Sequence, residues 1–454
     1  MCVDFGPKEL SMKSNFILGM CLLFLVQYFV RSEWLQLILA VCAVIAFMGS
    51  VARARTVPRI FSVLMFASGI ALTAWKGQGI EAAAQGIVSN LPLLTLLVLV
   101  PLLSIPIKMG GFFDSILAYL KRYRNSPRKM FMGITGVLFF LGPILNLGSI
   151  RIVHDLLKDF RLNAAFLSKA YLIGFSTTIL WSPYYAAVGV TLLYLNVSIG
   201  DYMAYGFGLA VLFLVAGNVM LGMWARKRDL ETDDESGAGI TAADRKRMKQ
   251  LPVIIFSLML VAIAAESLTQ WSMLVLVSLL ALLFPLLWVS VSKQWGLFKN
   301  HVVEYRNKSV PVMDNEIMMY ISAGFFGQSL RDTSFGEGIG LFMTKLAEIS
   351  FLWFALFILV AMVCVTFVGI HQVVFVTVFA TQMDPAALGT TKEILAIVIM
   401  LAWSASSVLS PVNPINLLVS GLVKRSSIQI GLRDNGLYLA LVSAMGIAIL
   451  TIFH

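Results

Sequence analysis

Two Ser-Pro pairs lie where long apolar runs should be least interrupted: "ILWSPYYAAVGV" (Ile179 to Val190) and "SSVLSPVNPINLLVS" (Ser406 to Ser420). Proline has no backbone N–H and its ring crowds the preceding turn, so Pro183 frees carbonyls around Ile179 and Leu180. Pro411 and Pro414 repeat the effect in the second run. In hydrocarbon an unsatisfied backbone group is costly, so a break of this kind is stable only against protein or a water-filled cavity. The freed carbonyls can coordinate a cation such as Na+. The half-helix that restarts after each break turns N–H groups and a partial positive charge toward an anion. Each break also carries polar side chains, Tyr184 and Tyr185 in the first, Asn413 and Asn416 in the second. One Ser-Pro is ordinarily a kink packed by its neighbours; two such breaks at equivalent places point to binding.

The surrounding chain must supply the cavity. Of 454 residues, 59% are hydrophobic and only 13% charged, which places the chain among polytopic membrane proteins. The longest polar stretch, Ala225 to Gln250, is too short to fold alone, which excludes catalysis in a separate soluble domain. The net charge of +10 sits in short loops between apolar runs, the pattern of cytoplasmic loops and not of a nucleic-acid surface. Cys2, Cys21, Cys42 and Cys364 show no CxxC spacing, so neither a disulfide framework nor a metal site is expected. "MCVDFGPKELSMKSN" leads into an apolar stretch without a small-residue cleavage site, which predicts a retained first helix.

The pattern predicts an all-α membrane protein with about eleven transmembrane helices and two re-entrant helical hairpins in an inverted repeat. The spans fall at roughly 15–31, 34–52, 58–75, 91–117, 166–195, 204–225, 251–268, 271–291, 315–332, 393–420 and 436–453. In Arg128 to Phe160 the apolar part before Gly142 is about 13 residues, roughly 20 Å of helix against a core of roughly 30 Å. This reads as a hairpin whose second arm begins near Asn146. Ile349 to Pro385 suits either one long helix or two arms turning at "FVGIHQ", and the repeat favours the hairpin. With the N-terminus inside and both hairpins not crossing, the loops at Arg53 to Arg59, Lys121 to Lys129, 225–250, Lys293 to Lys308 and Lys424 to Arg433 all fall in the cytoplasm. The C-terminus is then external, and the expected location is the plasma (inner) membrane.

Three landmarks recur in order: "GFFDSIL" as "GFFGQSL" (324 − 111 = 213), Gly142 as Gly369 (369 − 142 = 227), and Ser182-Pro183 as Ser410-Pro411 (410 − 182 = 228). The chain divides accordingly into scaffold helices (1–90), a first repeat (91–225), a cytoplasmic loop with scaffold helices (226–314) and a second repeat (315–454). Opposed repeats with broken helices are the pattern of secondary transporters, whose sites lie where the breaks meet. The expected substrate site comprises Asn146, Ser149, Ser182, Pro183, Tyr184, His371, Gln372, Ser410, Pro411 and Asn413, with Na+ near Asn146, Ile179 and Ser407, or a proton on His371, as coupling ion. No other cofactor is expected. Arg151 reads as an interfacial anchor paired with Asp155 at i, i+4. Two other readings remain: export of the same solute class, and an intramembrane lipid-modifying enzyme using His154, Asp155 and His371.

The arrangement of spans, hairpins and breaks, with "NEIMMYISAGFFGQSL" (Asn315 to Leu330) before the second hairpin, resembles the ion transporter superfamily, in particular its divalent anion/sodium symporter branch. The resemblance implies transport of a small carboxylate or oxyanion by an elevator mechanism. It also implies a homodimer held by a scaffold of the first three, seventh and eighth spans; the solute and membrane lipids are the other expected partners, and no nucleic acid is expected. That branch carries Ser-Asn-Thr at each hairpin tip. Here the tips read "GPILNLGS" and "FVGIHQVV", with Asn146 and Ser149 as the counterparts in the first.

Overall fold

A computed structural model describes residues 7–160, 162–224 and 239–454. Cys2 and most of the polar stretch at 225–250 lie outside the described residues. Within them the secondary structure is helical, with no strand.

The scaffold begins with α1 (Pro7–Val30), α2 (Glu33–Val51) and α3 (Thr56–Trp75), followed by the short α4 (Ile80–Val88). The expected fourth span is divided. Pro101 ends α5 (Leu91–Leu99) in a 3₁₀ turn, α6 (Ser104–Met109) follows, and Gly111 in left-handed conformation (φ +68) starts the amphipathic α7 (Phe112–Arg122). The first hairpin is α8 (Pro127–Leu145) and α9 (Gly148–Leu156), and the first broken helix is α10 (Ala164–Ile179) and α11 (Ala186–Leu195), followed by α12 (Ile199–Trp224). Two long helices, α13 (Ala242–Thr269) and α14 (Met273–Ser292), lead through α15 (Trp295–Glu304) to the second repeat. There α16 (Asp314–Leu330) and α17 (Ser334–Ile349) precede a hairpin of α18 (Phe351–Phe367) and α19 (Gln372–Ala380). A broken helix of α20 (Lys392–Leu409) and α21 (Pro414–Val423) follows, and then α22 (Gly436–Phe453). All eleven expected spans therefore correspond to a helix or a broken helix.

The second region is a hairpin, as the repeat favoured: four residues separate α18 from α19, and Gly369 at φ +96 makes the turn. A Cβ there would also lie 2.8 Å from a Val57 methyl, so a side chain is excluded twice over. Two expectations need correction. The first hairpin does not turn at Gly142. Its first arm runs 19 residues, longer than the apolar part, because Pro127 and the exposed Arg128 and Lys129 form its opening turn. Finally, "GFFDSIL" and "GFFGQSL" are not counterparts: the first opens α7, whereas the second closes α16. The short match concealed the true offsets, read from helix starts as 372 − 148 = 224 for α9 and α19 and 392 − 164 = 228 for α10 and α20.

The pseudo-twofold relation has a direct physical mark. Ser404 Oγ donates to the Ser176 carbonyl at 3.0 Å, and 404 − 176 = 228 is the offset of the two broken helices. A residue that touches its own counterpart lies on the symmetry axis. Around that contact α10 packs on both α20 and α21, and α20 on α11. The core is thus the crossing of the broken helices, while α8 clasps α10 and α18 clasps α20 from either side.

The clasp depends on close approach. A Cβ on Gly174 would lie 2.9 Å from the Thr135 carbonyl, the Thr135 Cα and the Leu138 Cβ, atoms that cannot swing away. Gly174→Val should therefore cost ~1–3 kcal/mol through forced separation of α8 and α10, seen as a lowered melting temperature of the purified protein. Gly136→Ala, with nothing within 4 Å, should leave it unchanged or raise it.

Candidate functional site

The first hairpin keeps Pro143 inside α8, so the Phe139 carbonyl four residues earlier loses its donor. The Thr178 hydroxyl comes near it from α10, lying 3.4 Å from the Phe139 oxygen and 3.3 Å from the Leu138 oxygen, with its single proton shared with the Gly174 carbonyl of its own helix at 3.2 Å. Gly142 makes room, since a Cβ there would sit 2.8 Å from Thr178. The helix ends at Asn146, whose backbone (φ +49, ψ −138) is one that side chains rarely adopt. Asn146 holds its own tip. Its Oδ1 accepts from the Leu147 N–H at 2.8 Å, and its carbonyl accepts from the Ser149 N–H at 3.0 Å and Ser149 Oγ at 2.7 Å. Ser149 is thus buried beneath the tip with its hydroxyl occupied.

The second tip is tied to the second break. His371 caps α19, with Nδ1 accepting from the Val373 N–H at 3.2 Å, which leaves the neutral ring's proton on Nε2. Gln372 Nε2 donates to Ser407 Oγ at 3.0 Å and Ser406 Oγ at 3.3 Å. Ser410 Oγ donates to the Thr366 carbonyl at 2.8 Å. Beyond the break Asn413 caps α21, its Oδ1 accepting from the Ile415 N–H at 3.0 Å. Asn416 Nδ2 donates to the Val408 carbonyl at 2.8 Å. At the first break the Tyr202 hydroxyl donates to the Leu180 carbonyl, while the Ser182 and Tyr184 hydroxyls are buried without partners.

Tips and breaks meet at a cavity of about 80 Å³. It is lined by Asn146 and Leu147, by His371 and Gln372, by Tyr185 and Ala186, and by Asn413 and Pro414, so the N-termini of α9, α19, α11 and α21 converge there. Ser407 and Trp403 from α20, and Glu316 and Tyr320 from α16, complete it. Two of the four N-termini carry a side-chain cap, from His371 on α19 and Asn413 on α21; at α9 Asn146 Oδ1 holds only the Leu147 N–H ahead of the first turn. At α11 no side chain caps the start at all, so the first-turn N–H groups of Ala186 and Ala187, which line the cavity, are open. Glu316, His371 and Asn413 also line an adjoining cavity of about 290 Å³, which holds Arg55 and Asn315. Arg55, Pro414 and Leu417 continue into a groove of about 540 Å³ that ends at Arg151.

Among the expected residues the cavities bring together Asn146, His371, Gln372, Asn413 and Ser407, with Ser410 at the margin. Ser182 and Tyr184 are turned into the core and line none of these cavities; the polar ring facing inward at the first break is Tyr185. Pro183 lines a separate cavity of about 460 Å³ on the opposite side, beside Asn196, Gln270 and Lys392. Pro411 shapes the second break without lining the cavity. The three candidate Na+ ligands do not converge, because Ile179 is buried away from the cavity that Asn146 and Ser407 share. Arg151 does not pair with Asp155, whose carboxylate takes Lys158 at 2.7 Å. Arg151 instead lines the groove. His154 Nδ1 lies 3.1 Å from the Tyr171 hydroxyl, and neither His154 nor Asp155 lines the cavity of His371, so the enzymatic triad does not assemble. Glu316, Tyr320 and Arg55 went unrecognised in the sequence. The available signal was an acidic residue at the start of an apolar span, where an ionisable group marks function by default.

The fold superposes on two membrane transporters of known structure. The YdaH transporter of Alcanivorax borkumensis, described as having an unusual topology, superposes with a TM-score of 0.53 at 12% identity, over 86% of this chain and 97% of that one. MtrF of Neisseria gonorrhoeae, described as illuminating a class of antimetabolite efflux pumps, superposes with a TM-score of 0.53 at 14% identity, over 86% and 94%. No protein-family model matches the sequence, and no curated protein matches it. At these identities the likeness establishes the fold.

The cavities also fix two sides of the molecule. In a variant with its native cysteines replaced, a cysteine at Leu417 should react with a membrane-impermeant thiol reagent from the side that carries Arg55 and Arg151. One at the exposed Gln270 should react only from the other. Labelling of both from one side would contradict this placement.

Proposed function

We propose that the protein is a secondary active transporter of a small anionic solute, a carboxylate or oxyanion, coupled to an ion gradient. The observation that carries this reading is the uncapped N-terminus of α11 in a cavity where three other half-helices also begin. A helix N-terminus favours an anion by about 0.3–1 kcal/mol when exposed and up to about 2 when partly buried. The convergence of several on one enclosed point sums these fields. Arg55 and Arg151 flank the approach and would raise the local concentration of anions at the mouth.

The hydrogen bonds divide the molecule in a way that suits movement of the site. Thr178 joins α10 to the first hairpin, Gln372 and Ser410 join the second hairpin to α20, and Ser404 joins the two broken helices. These elements form one linked body. The N-terminal α1 to α3 with α13 and α14 are the natural frame against which it would move, the elevator arrangement that the ion transporter superfamily resemblance implies. The groove opens beside the Arg- and Lys-rich loops, so with those loops in the cytoplasm this form faces inward.

Thermal stabilisation tests the reading, because a ligand that binds only the folded state raises its melting temperature by mass action. Across sulfate, phosphate, succinate and benzoate, one anion class should raise the melting temperature. Replacing Arg55 and Arg151 together by Ala should weaken its binding by about tenfold, or ~1.4 kcal/mol. Stabilisation by organic cations and by no anion would overturn the proposal.

A further inference from the structure

We propose that Glu316 is the site at which a proton and the anionic solute are coupled: the solute binds when this carboxyl is protonated, so that both cross together. The inference rests on the anion reading above and names its coupling ion and residue.

Glu316 occupies the third position of α16 and lines both the central cavity and its vestibule. Its Oε2 is buried with no hydrogen-bond partner. A buried, unpartnered carboxylate oxygen requires an explanation, since charged groups without a partner are strongly disfavoured away from water. The neighbouring acid is already accounted for. Asp314 is paired with Lys13 of α1, so that lysine is not available to neutralise Glu316. The other groups facing it are Arg55, ahead of α3, whose backbone N–H is held by Asn315 Oδ1 at 2.8 Å; His371, ahead of α19; and the hydroxyls of Tyr320 and Tyr185. From α5 it meets the apolar Leu97.

The size of the cavity turns this into a coupling rule. About 80 Å³ holds roughly two or three waters. The carboxyl and the open N-terminus of α11 border that same space, so an anion seated on α11 lies within a few ångströms of Glu316. Two negative charges at that separation exclude one another in a water-poor site, as paired carboxylates do. Proton uptake by Glu316 removes the repulsion and turns its O–H into a donor toward the solute. The proton comes from the aqueous vestibule and returns to water after the solute leaves; no covalent bond to the solute forms or breaks. By linkage, whatever the proton does for the anion the anion does for the proton.

The sign is fixed. Affinity for the anion rises as pH falls through the range where Glu316 titrates, by up to about tenfold per pH unit, and is level once the carboxyl is fully protonated. Sulfate and benzoate binding to the intact protein, followed by calorimetry from about pH 8 to about pH 5, should show this slope, since both probes keep their charge there. Glu316→Gln, which mimics the protonated side chain, should bind as wild type does at the lower pH and lose the slope. His371→Asn, which keeps a capping oxygen for Val373, should retain it. In unbuffered solution wild-type protein should take up about one proton per anion bound, a readout that needs no variant. A Glu316→Gln protein that keeps the wild-type slope, loss of the slope in His371→Asn, or binding without proton uptake would overturn the inference while leaving anion transport standing. Failure of both probes to bind wild type at any pH would remove the anion reading and this inference with it.

Discussion

A backbone carbonyl or N–H freed inside a membrane must find a partner in the protein, and this fold is organised around meeting that demand at its breaks. Pro143 deprives the Phe139 carbonyl, and the Thr178 hydroxyl of α10 comes within 3.4 Å of it, sharing its proton with the Leu138 and Gly174 carbonyls. The chain break before Pro183 leaves the Leu180 carbonyl, and Tyr202 supplies a donor. The prolines at 411 and 414 loosen the end of α20, where Asn416 bonds Val408 and Ser410 fastens the break to α18. Each repair joins two elements that would otherwise only be in contact. The same bonds that satisfy the breaks therefore weld hairpins and broken helices into one body.

The start of α11 is left without a side-chain cap where one would have been simple. A Ser, Asp or Asn at position 185 would cap α11 as Asn413 caps α21, but Tyr185 provides no cap. Positions 185 and 413 are repeat counterparts by the offset of 228, so the asymmetry lies within an otherwise repeated design. An open N-terminus facing an enclosed cavity is a place where a ligand can complete what the chain does not. Glu316 in that same cavity makes the site conditional, since the anion that suits α11 is repelled by an ionised carboxyl.

Much of this was legible in the sequence because membrane physics leaves few options. Apolar length marked the spans and prolines marked the breaks. What was not legible was direction at single-residue scale. Whether Tyr184 or Tyr185 faces the cavity depends on how the chain turns between Ile179 and Ala186, and a break has no periodicity from which to read a face. The apolar part of the first arm ends before Gly142, but the helix carries Pro143 within it and continues to Leu145. Glu316 was passed over because it sits at the first turn of a span, where an acid is usually a solvated helix cap. Its importance comes from α3 and α19 folding over it, which no local pattern records. The repeat itself was visible through its prolines and obscured by a chance likeness of "GFFDSIL" and "GFFGQSL" in different structural roles.

The central claim is that an anion sits on the open N-terminus of α11. The most direct measurement is a crystal structure grown with selenate, located by its anomalous scattering. The account predicts a peak within hydrogen-bonding distance of the Ala186 and Ala187 N–H groups, between the tips at Asn146 and His371. A central cavity empty of selenate at saturating concentration, or a cation coordinated there by Asn146 and Ser407 in its place, would contradict it.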